Sequence, residues 1–212
     1  MPVSDIAQRK IDPAFLDKLD ELTSDDQHAN WWRDVLANPS LVLAVRNNSI
    51  NVYYRGASIF KIDWMGQKVV PSVHVKYLIR PEQAYVRLDN GAFEIETSPV
   101  NDRYIGAKTL SEMVKAAARY SGAEKTGLHP MLVGDNSVID VEIALSRSAL
   151  EGQAEPLDYE PSTARRQDRI DAAIAVRAPN ELDPKVLFVE AKHFSNPSLR
   201  ASGDADVLRQ IR

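Results

Sequence analysis

Behind Pro13, apolar residues recur at helical spacing at Phe15, Leu16, Leu19 and Leu22, which predicts a helix with proline in its first turn. A second helix is expected over residues 28–36, carrying Trp31 and Trp32 and stopping near Asn38 and Pro39. After Pro39 the period shortens. Residues 41–46, 50–54 and 58–64 are rich in β-branched and aromatic side chains and are separated by Asn47-Asn48 and Arg55-Gly56. They predict an antiparallel β-meander. Further strands are expected at 73–79, 84–88 and 92–95, the last two joined through a turn at Asp89, Asn90 and Gly91. Residues 110–120 return to helical spacing and stop at Ser121-Gly122.

The second half opens near Glu124, with strands expected at 138–145, 169–176 and 186–192. Residues 146–167, polar and broken by Gly152, Pro156 and Pro161, predict a long loop, and residues 178–184 a hairpin connection. From Pro197 onward the pattern turns helical, with Val207, Leu208 and Ile211 as its apolar stripe. This helix ends without a cap or a glycine, so it is expected to be cut short, with a further C-terminal region beyond it. The expected class is α/β: helices plus an antiparallel meander in residues 1–104, and a second domain in residues 105–212.

Acidic residues interrupt the three later strands at positions that solvation does not explain. Asp140 and Glu142 share one strand face, Asp171 interrupts an apolar strand, and Glu190 and Lys192 share a face directly after a hydrophobic run. If these strands are neighbours, one patch collects Glu142, Asp171 and Glu190, with Lys192 beside them. Like charges so close repel unless a cation neutralises them. Hard carboxylate oxygens with no thiolate favour magnesium or manganese. The competing reading is a plain ion pair between Glu190 and Lys192.

Composition narrows the field in a few places. The chain has no cysteine, which excludes disulfides, thiolate-bound zinc and a cysteine nucleophile. Its longest apolar runs are too short for a bilayer and none resembles a leader, so the cytoplasm is the expected location and no membrane partner is expected. A net charge of −4 argues against a protein that merely coats DNA, but not against a nuclease that concentrates carboxylates around a cation.

Asp171 within Arg-Ile-Asp, Glu190-Ala-Lys192 about twenty residues on, and Gln210 in the following helical stretch resemble the PD-(D/E)XK nuclease superfamily, over roughly the last half of the chain. The resemblance implies a restriction-endonuclease-like mixed sheet flanked by helices, and magnesium-dependent hydrolysis of nucleic-acid phosphodiesters in defence, restriction or repair. It implies DNA as substrate, with RNA as the alternative. Carried over, Asp171, Glu190 and the Ala191 carbonyl would hold the metal, and Lys192 would position the attacking water. Glu142 and Gln210 would complete the site. Ile170 stands where the motif often has proline. The extra glutamate is open between Glu142, on a strand, and Glu112 or Glu124, on helices, and Asp168 is an alternative to Asp171.

Other residues carry weaker expectations. Arg165, Arg166, Arg169, Arg200 and His193 flank the proposed site and are candidates for contact with a nucleic-acid backbone. Trp31 and Trp32 could stack on bases, although helical spacing argues for the core, and residues 51–56 are read as sheet packing before nucleic-acid contact. A second copy of the chain is a further expected partner. The rival to an enzyme is a non-catalytic module that keeps the nuclease-like fold to bind nucleic acid or protein.

Overall fold

A computed structural model describes residues 10–26, 29–80, 82, 85–95, 98–145, 168–176, 185–194 and 199. The chain is an α/β protein that divides into two compact units, Met1–Gly134 and Asp135–Arg212. The division falls beyond the 104/105 boundary expected from sequence, because the helix over 107–118 contributes Leu110, Met113 and Ala117 to the first unit's core.

Helix α1, Pro13–Ser24, begins where Asp12 accepts the Ala14 N–H at 2.9 Å and Pro13 fills the first turn. It buries Phe15 and Leu19, whereas Leu16 on the adjoining face stays 47 % exposed. Helix α2, Trp31–Ala37, is capped by Asn30, whose side chain accepts the Arg33 N–H at 3.0 Å. It starts three residues later than expected because Asn30 supplies that cap.

The meander is a four-stranded antiparallel sheet of β1 (Val42–Arg46), β2 (Ser49–Tyr54), β3 (Ala57–Met65) and β4 (Lys68–Ser72), in that order. Its tight turns rest on left-handed backbone: Arg55 and Gly56 both have positive φ, as do Gly66 and Gln67. Paired positive φ values match the right-handed twist of the strands they join. Strand β4 was not expected from sequence, since it contains Pro71. It is the last strand in the sheet order, where a missing N–H is tolerated.

One expected strand is a helix. Within residues 73–79 the chain forms the short helix α3, Val75–Leu78, because the His74 Nδ1 accepts the Lys76 N–H at 3.1 Å and caps the turn. That turn carries Tyr77 into the core. The hairpin of β5 (Arg87–Asp89) and β6 (Ala92–Glu94) turns through Asn90 and Gly91, both with positive φ. Helix α4, Ala107–Ala118, matches the helix expected there, and helix α5, Ala123–Gly134, completes the first unit.

The inner face of the meander, with Ile50, Val52, Phe60 and Ile62, packs under α1, α2 and α4. Phe15 and Trp64 stack at 5.5 Å, and Trp31 lies 5.6 Å from Phe60. Trp32 is buried and Trp31 partly so, which assigns both indoles to packing. At the rim, the Tyr104 hydroxyl donates to Asp34 Oδ2 at 2.7 Å, and burial, followed by that carboxylate, raises the phenol far above its usual value.

In the second unit, β7 (Val138–Leu145), β8 (Asp168–Val176) and β9 (Lys185–Val189) form one sheet in the order β7-β8-β9. Both pairings are antiparallel, so among the described residues this sheet is not mixed. Residues 146–167 and 197–198, together with the helix expected up to 212, lie outside the described residues, apart from Leu199. Among the described residues no helix is long and apolar enough to cross a membrane.

The core makes a direct prediction. Phe15→Ala removes a fully buried ring and its stack on Trp64, and should lower unfolding free energy by about 3–5 kcal/mol. Leu16→Ala, one position along, should change it by no more than about 0.5 kcal/mol. Denaturant titration of both variants checks the contrast.

Candidate metal centre

Strand β8 is the middle strand of its sheet, and its centre is dry. Asp171, Ala172 and Ala173 are all under 5 % exposed, and Val141 and Ile143 on β7 are equally buried. Small alanines on successive positions allow both faces of β8 to be covered closely. The Asp171 side chain is therefore placed in a dry setting, where a polar group needs hydrogen-bond donors.

One donor does. The Ala191 N–H, two residues past the end of β9, donates to Asp171 Oδ2 at 2.6 Å. This bond continues the β8–β9 pairing beyond its last backbone partners, Ala172 and Val189. Extending that register by one residue sets Glu190 opposite Asp171. On the other side, Val141 pairs Ala172 and Ile143 pairs Ile170, which sets Glu142 opposite Asp171 as well. The three acidic positions expected to gather thus fall in one row across three neighbouring strands.

Lys192 reaches back to Glu190, and the two form a hydrogen-bonded ion pair. Their side chains are 17 % and 28 % exposed. Such shielding strengthens the attraction relative to a pair in open water. The shared face expected for Glu190 and Lys192 is realised in this contact.

Glu142 departs from the simple strand pattern. Its φ is +52°, a left-handed backbone in the middle of β7, and a register shift lies between Val138 and Asp140. Strict alternation of side chains assumes extended φ at every residue, so row position alone does not fix where the Glu142 carboxylate points. Among the described residues, no three His, Asp or Glu side chains are grouped so that they could hold a metal ion. The oxygens expected as donors from sequence, the Asp171 and Glu190 carboxylates and the Ala191 carbonyl, are hard ligands. That chemistry suits magnesium or manganese.

The alternative carboxylates have separate places. Glu112, on α4, accepts from Asn101 Nδ2 at 2.9 Å within the first unit, and Glu124 lies in the first turn of α5 in the same unit. Asp168 is the first residue of β8. Asp140 is buried, and its Oδ1 accepts the Val141 N–H at 2.8 Å. Sequence paired Asp140 with Glu142 on one face but gave no sign of its burial.

Of the basic candidates, Arg169 is exposed on β8, opposite Ala144 and one strand repeat from Asp171 on the same face. The His193 ring lies 4.3 Å from the Phe194 ring. Arg165, Arg166, Arg200 and Gln210 lie outside the described residues. Among the described residues, sequence reading overlooked the Ala191 amide, since a backbone N–H carries no residue-type signal; only the Ala191 carbonyl was considered.

That amide yields a test. Ala191→Pro removes the N–H and leaves a buried carboxylate short of a donor, which should cost about 1–3 kcal/mol of stability. Ala191→Gly keeps the N–H and should cost no more than about 1 kcal/mol. Urea unfolding of the two variants, followed by a probe in the second unit, separates them.

Comparisons of the chain with protein-family models, with curated proteins and with solved structures gave no match, so the reading of this site rests on its own residues and register.

Proposed function

We propose that the second unit is a metal-dependent nuclease core of the restriction-endonuclease-like kind, hydrolysing phosphodiester bonds in DNA, with RNA as the alternative substrate. The observation that carries the reading is the register of β7, β8 and β9, which aligns Glu142, Asp171 and Glu190 in one row with Lys192 paired to its end. In this reading Asp171, Glu190 and the Ala191 carbonyl hold magnesium or manganese. The bound cation supplies a polarised phosphoryl oxygen and a more acidic water. The chain's own residues do the rest.

The Ala191 N–H holds the Asp171 carboxylate in one orientation, so the side chain need not reorganise when it acts. The Lys192 ammonium, paired with Glu190, is the group proposed to meet a water or a phosphate oxygen. It would steady the nucleophile before attack and the developing negative charge after it. Glu142 is the nearest further carboxylate by register, and Gln210 is the proposed amide partner from the C-terminal helix. Arg169, His193, Arg165, Arg166 and Arg200 are proposed backbone contacts. A role in defence, restriction or repair follows from the same reading, as do a cytoplasmic location and a second copy or a further C-terminal region as partner.

One observation favours the rival. Asp171 and Glu190 are each engaged within the protein, and no three-carboxylate grouping occurs among the described residues, as expected for a retained but non-catalytic binding module.

Cleavage assays decide between the two. Plasmid, linear duplex, single-stranded DNA and RNA are incubated with the full chain, with magnesium or manganese and with chelator. The enzyme reading expects metal-dependent cleavage that Asp171→Asn abolishes and that Lys192→Met reduces by about 10²–10⁴-fold, with circular dichroism unchanged. Binding without cleavage of any substrate, or cleavage that survives both substitutions, gives the site to the platform.

A further inference from the structure

We propose that His129 is an acid-sensitive latch: its neutral imidazole fastens helix α5 to the turn between β2 and β3, and protonation at Nδ1 releases the helix. The proposal is independent of the nuclease reading.

Helix α5 is poorly equipped to stand alone. Pro130 lies inside it and offers no N–H to the Thr126 carbonyl one turn back, and Gly127 adds backbone freedom beside that gap. Only Leu128 and His129 of its side chains are buried, whereas Met131 is 69 % exposed. The helix therefore depends on what those two residues touch.

His129 touches the turn directly. Its Nδ1 accepts the backbone N–H of Arg55 at 3.3 Å, and its ring meets the Tyr54 ring edge-on at 4.9 Å. Arg55 has a left-handed backbone, and its guanidinium lies 5.1 Å over the same Tyr54 ring. The imidazole is 6 % exposed, and its Nε2 is buried without a well-formed hydrogen bond. An accepting Nδ1 fixes the neutral tautomer with its proton on Nε2.

Adding a proton to Nδ1 reverses this geometry. Two N–H groups would then face each other, and a buried cation would sit beside the Arg55 guanidinium. The groups facing the imidazole are Arg55 and Tyr54 from the turn and the Ser40 carbonyl from the segment before β1. Burial pushes the imidazole below its usual value of 6.5, the Ser40 carbonyl draws it back, and Arg55 pushes it down again. Below pH 6.5 the released helix takes up a proton that the docked helix excludes, so docking weakens as pH falls. In chain order α5 directly precedes the second unit, so its release would add its residues to the covalent connection between the two units.

Amide hydrogen exchange of the full chain across residues 123–134 tests the latch. Rates are corrected for the intrinsic pH dependence of exchange and compared with amides of β2 in the same sample. Wild-type α5 should lose protection by up to about ten-fold per pH unit below pH 6.5, with β2 unaffected. His129→Asn keeps an acceptor near the Arg55 N–H and does not titrate, so its α5 protection should not vary with pH. Protection of wild-type α5 that is independent of pH, or an equal pH dependence in His129→Asn, overturns the proposal. Should the variant fail to fold, the wild-type imidazole resonance decides by NMR. Titration below 6.5 in step with loss of α5 protection supports the latch, and titration at or above 6.5 with α5 still protected ends it.

Discussion

A carboxylate buried in the middle strand of a three-stranded sheet has to be met by a donor, and here the Ala191 amide meets Asp171. The rest of the second unit's chemistry follows from that bond. It carries the β8–β9 register past the last backbone pair, which sets Glu190 opposite Asp171 and leaves Lys192 close enough to pair with Glu190. A shift of one residue in β9 would move Glu190 to the other face and take the Ala191 N–H away from Asp171. The register of β9 and the pairing of these charged side chains are therefore one constraint in this sheet.

The first unit is organised by shape complementarity. Its aromatic side chains interlock: Phe15 against Trp64, and Trp31 between Trp32 and Phe60. The turns of the meander fix how the strands twist, and α1, α2 and α4 close over the inner face. Polar groups at the margin, such as Tyr104 with Asp34, tie loops to helices without carrying charge into the interior.

Much of this was legible in the sequence, for reasons that differ from element to element. β1 to β3, β7 and β8 fell within a residue or two of expectation because alternation and turn residues agreed. α3 was misread as a strand, since residues 73–79 satisfy both periods over so short a length and the His74 cap settles the choice. β4 was not expected and α5 was legible only as a helical setting for Glu124, since Pro71 and Pro130 suppress local propensity. At the site, acidic interruptions of apolar strands marked Asp171 and Glu190 correctly as neighbours in register. The left-handed backbone of Glu142 and the Ala191 amide left no trace in residue type, and Gln210 lies outside the described residues.

The two sheets also differ in how far apart along the chain their partners lie. Each neighbouring pair in the meander is joined by a turn of two residues, so its contacts are local. Strand β7 must instead find β8 across residues 146–167, a closure about 2 kcal/mol more demanding on loop-entropy scaling. On a ribosome the meander can therefore assemble as soon as it emerges, well before β8 exists. The acidic row draws on all three later strands, so the nascent chain cannot align it until translation has passed Glu190.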